Sequence, residues 1–595
     1  MGETLWGLWQ TRATGARPVK SKAETDVCGF IGLIGRDNVA EPALGRLAQG
    51  LDWVRRRGPD SHRCWQSAEG RVALGFARLA IVDQDASAHQ PLVSSTPPLT
   101  GVLNGEIYNY QELRSELATF PFRTQSDTEV LLAAFATWGV KGLTRLRGMF
   151  AGAIVDHSDR KVFIFRDPIG KKPLYLCDTT TGLIFGSSIL GIRAVHGEHL
   201  RLNPHAVNAF WQHEYVLPDE SILESCRPVM PGEVWEYDWN GRFVRLHSCR
   251  PRVDAVANSL EEIREECARL IQQSVARRVQ NNPAPVSLLS GGIDSTVVTQ
   301  TVSRLVHSNS ITLASRLRLS PDERYARYAA DRIGVSVQKV RMSLRSVADD
   351  VRWSLSLQDE PLGMMSFFML AHLVKAAKAY GRILLTGDGG DEVFLGYGRA
   401  SDWMKQTDRE DTDDHLDWTV GPDVPTWMSR WGRFAVRQQL LGHMFPKVDR
   451  ASAEQGVEIR SPLLDWDLMA FARGLPPSVL LRNGQMKALL KTQLDSWPKS
   501  FIERPKVGFT FRLRWFWLTS GFAGARELVS DESVERFRPF LPAPLRKRPQ
   551  SWSTSAMFQH FKPAWKLMVW TAFERRLAAA EQFDPKATRA ALIVP

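Results

Sequence analysis

From residue 28 the chain runs in short apolar stretches broken by glycine, aspartate and asparagine. These are CGFIGLIG (28–35), RVALGFARLAIVD (71–83), GVLNGEIYNY (101–110), GMFAGAIVD (148–156), KVFIFRD (161–167) and LIFGSS (183–188). Alternating or continuously apolar segments of this length predict strands. Two stretches carry a helical period instead, 43–57 and 126–146, the second with Ser126 or Asp127 available to cap its start. The pattern predicts a layered α+β domain ending near residue 240, followed by a last hairpin and linker over 236–259. Near Ser259 the rhythm changes. A helix over 260–280 leads into the apolar strand PVSLLS (285–290), a glycine turn and a helix from Asp294. Further β-rich runs, SITLAS (310–315), VSVQKV (335–340) and RILLT (382–386), alternate with helical stretches. That alternation predicts a parallel sheet with helices on both faces. The helical, Trp-rich remainder (369–380 and 564–580) reads as a helical layer on that sheet.

At 595 residues the chain exceeds one ordinary core, so at least two domains are expected. Hydrophobic residues at 44% and charged residues at 24% exclude a disordered chain. The net charge of +11 invites an anionic partner such as ATP or pyrophosphate. The basic residues are scattered, with only short runs such as Arg55-Arg56-Arg57 that read as solvated surface. No zinc-finger spacing, RNA-binding aromatic signature or basic zipper is present. The six cysteines (Cys28, Cys64, Cys177, Cys226, Cys249, Cys267) contain no CxxC pair, which points to reduced thiols and a cytoplasmic setting. No apolar run reaches the ~18 residues of a membrane span, and residues 1–27 lack the apolar centre of a secretory signal.

Two glycine-rich segments each follow an apolar strand. In Ser290-Gly291-Gly292-Ile293-Asp294-Ser295 the glycines let the backbone approach phosphate oxygens and the helix start offers free N–H groups. Asp294 is suited to a magnesium ion. Without a Lys-Ser/Thr pair this is not a Walker loop, and by spacing alone a glycine turn opening a helix is commonplace. The identities resemble the pyrophosphatase loop of enzymes that split ATP into AMP and pyrophosphate. The second segment, 386–392 (TGDGGDE), would sit beside the first, since ligands of open parallel sheets bind at the carboxyl ends of strands.

Together CGFIGLIG, RRRGPDS, ARLAIVD, NGEIYNY, SDTEV, RDPIGKKPLY, SGGIDS and GDGGDE resemble the glutamine-hydrolysing asparagine synthetase family over most of residues 27–515. The resemblance implies an α+β N-terminal-nucleophile (αββα) glutaminase domain at 28–240. It implies an α/β parallel-sheet ATP-pyrophosphatase (adenine nucleotide alpha hydrolase-like) domain with helical additions at 241–595, and an apolar ammonia tunnel between them. Cys28 would be the nucleophile, with an N-terminal amine as its base. Asn104 and Gly105 would stabilise the oxyanion, Arg78 would pair with the glutamine carboxylate, and Glu106 and Asp127 would receive its ammonium. In the second domain Leu288, Ser290, Gly291, Gly292, Asp294, Ser295, Gly387 and Lys487 would hold ATP and pyrophosphate. Asp294 and Asp391 would bind Mg2+, and Asp388 and Lys506 would act in catalysis. Either lysine taken alone is as readily a solvated surface residue. Arg450 and Arg460 would be structural ion-pair partners. The implied co-substrate is ATP and the implied partners are glutamine and aspartate or another small carboxylate, without nucleic acid or membrane; a homodimer is left open.

Several positions depart from the family. Asp388 stands where a glutamate is frequent, Arg56 replaces a histidine, Leu395 replaces a small residue, and Arg316 stands where the family's adenine-facing strand end is commonly small. Aspartate-to-asparagine conversion is the first expectation. Amidation of another carboxylate in secondary-metabolite or polysaccharide synthesis is the alternative, and a peptide or lactam cyclase is a third reading that the complete glutaminase set argues against. Cys28 is preceded by 27 residues, and an internal amide nitrogen is no base. The extension 1–27 is therefore expected to be absent, through initiation at Val27, or removed as a propeptide. An idle glutaminase fed by free ammonia is the remaining option.

Overall fold

A computed structural model describes the chain from Cys28 to Val594, except residues 37–40, 56, 59, 80–82, 84, 198–199, 252–258, 281–283, 315–320, 342–346, 399–430, 454, 483, 505–524 and 583–592. Lys506, Arg316, Arg56 and Val27 lie outside the described residues.

The described strands are β1 (Gly29–Gly35), β2 (Ser61–Gln66), β3 (Val72–Arg78), β4 (Leu92–Ser95), β5 (Pro98–Ile107), β6 (Gly148–Asp156), β7 (Lys161–Arg166), β8 (Tyr175–Asp178), β9 (Gly182–Gly186), β10 (Cys226–Pro228), β11 (Glu233–Asp238) and β12 (Phe243–Ser248) in the first half. They form two stacked sheets, ordered β10-β8-β9-β1-β3-β2 and β12-β11-β7-β6-β5-β4. Helix α1 (Glu41–Arg55) and helix α3 (Ile189–His196) cover the first sheet, and α2 (Asp127–Trp138) covers the second. The apolar runs have a simple cause, because each inner strand is buried on both faces. On β1, Phe30 and Ile34 point between the sheets against Ala153 and Ile164, while Ile31 and Leu33 meet Leu47 and Leu51 of α1. Gly32 lies under the Phe185 ring, where a Cβ would come within 2.1 Å. Ser126 caps α2 by accepting from Thr128 N, and the hairpin β11–β12 closes the second sheet.

The second half opens with α4 (Leu260–Val279), started by a capping box between Ser259 and Glu262. Strands β13 (Val286–Leu288), β14 (Asn309–Ala314), β15 (Val337–Arg341), β16 (Ile383–Leu385) and β17 (Glu458–Arg460) make a parallel sheet ordered β15-β14-β13-β16-β17. Helix α5 (Ile293–Leu305) follows β13, and α6 (Met365–Ala377) packs Leu373 and Val374 against Val286 and Leu384 of the sheet.

The Trp-rich end departs from expectation. Helix α7 (Phe561–Glu581) does not lie on the parallel sheet but packs between the first half and the 351–369 stretch of the second. Trp570 packs against Phe210, Arg193 pairs with Glu581 at 2.6 Å, and Trp565 donates to Gly363 O at 2.7 Å. Helical period shows that such a segment buries a face but not which surface receives it. Beyond it, β18 (Ile593–Val594) pairs parallel with β2. No helix among the described residues is long and apolar enough to cross a membrane.

Candidate active sites

Cys28 stands immediately before β1. Its Sγ accepts from Leu79 N at 3.2 Å, and its carbonyl accepts from Arg57 Nε at 3.2 Å. Arg57 is held in turn by Asp449 of the second half, with both terminal nitrogens at 2.9 Å. At 7% exposure this arginine is not the solvated surface residue that its run suggested; its partner is simply remote in sequence. Burial pushes the Cys28 thiol up to about 11, with the Leu79 amide pulling the other way. Almost no thiolate is present near neutrality, so attack needs a base at the sulfur.

A cleft lined by Cys28, Arg78, Gly105, Glu106, Asp127 and Glu458 opens in front of the sulfur. Arg78 is aimed by the carbonyls of Asp83 and Asp85. Asn104 donates from Nδ2 to Ser187 Oγ at 3.2 Å. Gly105 has φ +131°, and a Cβ there would meet Met149 O at 1.9 Å, so only glycine fits this bend. Asp127 Oδ2 accepts from Ile107 N at 3.0 Å.

The expected ammonium partner Glu106 is already engaged, because Arg460 of β17 donates to it and also to Glu458. Burial raises the Glu106 carboxyl, and Arg460 only partly offsets this; the adjacent Glu458, for which burial acts the same way, is held low chiefly by Arg460. Arg460 is thus an ion-pair partner as expected, but Glu458 went unrecognised. Its signal was available: two charges flanking isoleucine in a strand otherwise placed in the core.

In the second half the two glycine loops follow adjacent strands, β13 and β16. They interlock closely: a Cβ on Gly387 would lie 2.5 Å from Ser295 N, and one on Gly390 would lie 2.4 Å from Asp294 Oδ1. Ser290 Oγ and Ser295 Oγ are 3.0 Å apart, and Gly292 N donates to Ser290 Oγ at 3.3 Å. Gly292 starts α5 without a side-chain cap, which leaves the first-turn N–H groups to an anion. Leu288 ends β13, and Gly291 takes φ +77° beneath Tyr325.

Lys487 is buried at 7% exposure. Its Nζ lies 2.6 Å from Asp294 Oδ2 and 2.8 Å from Asp391 Oδ1. Burial opposes its charge, but the two carboxylates hold it protonated. The carboxylates therefore converge on one cation position. No group of three or more His, Cys, Asp or Glu able to hold a metal occurs among the described residues, but two carboxylates suit Mg2+, which takes its remaining ligands from water and substrate phosphates.

Asp388 accepts from Thr386 Oγ1 at 2.7 Å, and Thr386 N donates to Arg460 O at 3.0 Å. Strand β17 consequently touches both sites, Glu106 through its side chains and Thr386 through its backbone. Nearby, Tyr397 donates to Glu392 at 2.6 Å; burial pushes Glu392 up to about 7.

A pH dependence follows for the first site. Burial raises the Asp127 carboxyl from 3.8 to about 6, partly offset by the amides of Ile107 and Thr128. On the expectation that Asp127 receives the ammonium of glutamine, which needs the ionised carboxylate, kcat/KM for glutamine should rise as pH climbs through about 6. Asp127→Asn should flatten that limb, and a wild-type profile flat from pH 5 to 7 would contradict it. For folding the sign is opposite: a carboxyl with a raised folded value loses stability as pH rises across the same window.

Residues 27–246 match the glutamine amidotransferase domain family, and residues 266–579 match the asparagine synthase family. A putative asparagine synthetase [glutamine-hydrolyzing] of Mycobacterium tuberculosis is 27% identical, covering 83% of this chain and 90% of that protein. Asparagine synthetase [glutamine-hydrolyzing] 1 of Bacillus subtilis is 25% identical over 86% and 91%. Among solved structures, the glutamine phosphoribosylpyrophosphate amidotransferase from B. subtilis aligns at 16% identity and a TM-score of 0.29, covering 53% of this chain and 66% of that one.

Proposed function

Since the chain belongs to the asparagine synthase family, with a glutamine amidotransferase domain ahead of the synthetase domain, we propose that its two sites divide one amidation between them. The protein is a glutamine-dependent, ATP-consuming ligase that forms a carbon–nitrogen bond, and aspartate is the acceptor that its relatives' names support. The observation that carries the reading is the pairing of a cysteine cleft with a double glycine–carboxylate cradle, joined by β17.

In the first site Arg78 pairs with the glutamine carboxylate and Asp127 receives its ammonium, while Glu106, held by Arg460, forms the wall of that subsite. Cys28 attacks the side-chain amide carbon, Asn104 and Gly105 hold the oxyanion, ammonia leaves as the thioester forms, and water then releases glutamate. The high thiol value favours a local base, which the Cys28 α-amine supplies once residues 1–27 are absent; such an amine titrates near ~8. In the second site the acceptor carboxylate attacks the α-phosphorus of ATP and releases pyrophosphate, and ammonia then displaces AMP from the acyl adenylate. The backbone of 290–295, with Ser290 and Ser295, cradles pyrophosphate beside Gly387. Asp294 and Asp391 are the residues that would hold Mg2+, whose chemistry is to neutralise phosphate charge. Lys487 adds fixed positive charge, and Asp388 and Lys506 complete the proposed catalytic set. The setting we propose is cytoplasmic, as a homodimer that binds no nucleic acid; the six cysteines are all free.

The test is to purify the protein from its native gene, determine its first residue by intact mass and Edman degradation, and assay that sample. Cys28 as first residue, with glutamine hydrolysis and pyrophosphate release requiring aspartate, is the expected result. Pyrophosphate release only with a different carboxylate would move the acceptor. A retained Met1 in fully glutamine-active protein would overturn the amine-base proposal.

A further inference from the structure

We infer that Asp359, in the synthetase half, is a positioning residue for the oxyanion hole of the glutaminase half, acting through Ser188 and Ser187. The inference rests on the reading that Asn104 stabilises the oxyanion. Ser187 Oγ accepts from Asn104 Nδ2 at 3.2 Å and from Phe30 N at 3.3 Å, and Ser187 N donates to Phe30 O at 2.9 Å. One buried hydroxyl therefore ties the Asn104 amide to Phe30 of β1, two residues beyond Cys28.

Ser187 is itself fixed from the other domain. The next residue, Ser188, caps α3 by accepting from Gly191 N at 3.0 Å, and its hydroxyl donates to Asp359 Oδ1 at 2.5 Å. Asp359 also accepts from Ile189 N at 2.8 Å and Leu190 N at 3.3 Å. The first three N–H groups of α3 thus depend on Asp359 and on the serine it holds. Asp359 cannot drift, because its neighbours are anchored. Gln358 closes a loop onto Leu362, and Glu360 is gripped by Tyr175 at 2.7 Å and by Arg450. Loss of the Asp359 carboxylate orphans the start of α3 and loosens the Ser187 corner. The effect falls on oxyanion geometry rather than on the residues that grip glutamine.

The test compares glutamine hydrolysis by the full chain carrying Asp359→Ala, Asp359→Asn, Ser187→Ala, the Asp359→Ala/Ser187→Ala pair, and Asn104→Ala. Asp359→Ala and Ser187→Ala are each expected to lower kcat by about tenfold with KM within about twofold, and the pair should lose little more. An unchanged kcat, a loss confined to KM, or multiplicative losses in the pair would overturn the inference. Ammonia-driven pyrophosphate release reports folding; should Asp359→Ala lose it, Ser187→Ala and Asp359→Asn decide by the same criteria. Full hydrolysis by Asn104→Ala would instead sink the oxyanion reading on which the inference stands.

Discussion

Replacing Cys28 with serine is expected to cut glutamine hydrolysis, and synthesis driven by glutamine, by at least about 10³-fold. Synthesis driven by an ammonium salt should continue at close to the parent rate. Among the described residues the hydrogen bonds of the sulfur stay within its own half, to the Leu79 amide and carbonyl. The interdomain bond to residue 28 instead runs through its backbone carbonyl and Arg57, which a serine preserves. A hydroxyl in the same buried setting is a far weaker nucleophile than a thiol, so the loss is chemical rather than structural. The measurement is a paired assay of glutamate and pyrophosphate release. Retained hydrolysis in the serine variant would remove Cys28 from the reaction, and loss of both nitrogen sources would show that the substitution disturbs the fold.

The mirror-image result is expected for Lys487→Met. Pyrophosphate release should fall by about 10²- to 10³-fold with either nitrogen source, while glutamine hydrolysis stays within a few-fold. The methionine fills a similar volume but leaves Asp294 and Asp391 facing each other without the ammonium between them. Removing one partner of a buried ion cluster typically costs about 3–5 kcal/mol, so the unliganded variant should also melt earlier, by calorimetry. Lys487→Arg is not expected to rescue: a Cβ on Gly396 would already lie 2.2 Å from Lys487 Cε, which leaves no room for a guanidinium. Full activity in the arginine variant would show that charge alone matters there.

What could be read along the chain was what backbone geometry or reaction chemistry confines to few residue types. Gly105 sits where any Cβ strikes Met149 O, and Gly387 and Gly390 sit where one strikes the neighbouring loop. The apolar runs were legible because strands such as β1 are covered on both faces. What escaped depended on partners far along the chain. Nothing local separates the buried Arg57 from the exposed Arg55, since its partner Asp449 lies 392 positions away. Arg460 meets Glu106 across 354 positions, and Asp359 meets Ser188 across 171. Helix α7 shows the same gap at the level of a whole element: its burial was foreseen, but its landing surface was not.

Strand β17 carries a consequence for how such enzymes can be rebuilt or can diverge. Three residues, Glu458 to Arg460, serve as a wall of one cleft and a brace for the 386–392 loop of the other. The two halves are therefore not interchangeable parts. A chimera that took its glutaminase half from a distant relative would inherit a foreign counterpart to Arg460, and a mismatch there would reach both reactions at once. Substitutions at 106, 458 and 460 should accordingly be tolerated as matched sets rather than singly, which makes this short strand the place where the two catalytic histories are tied together.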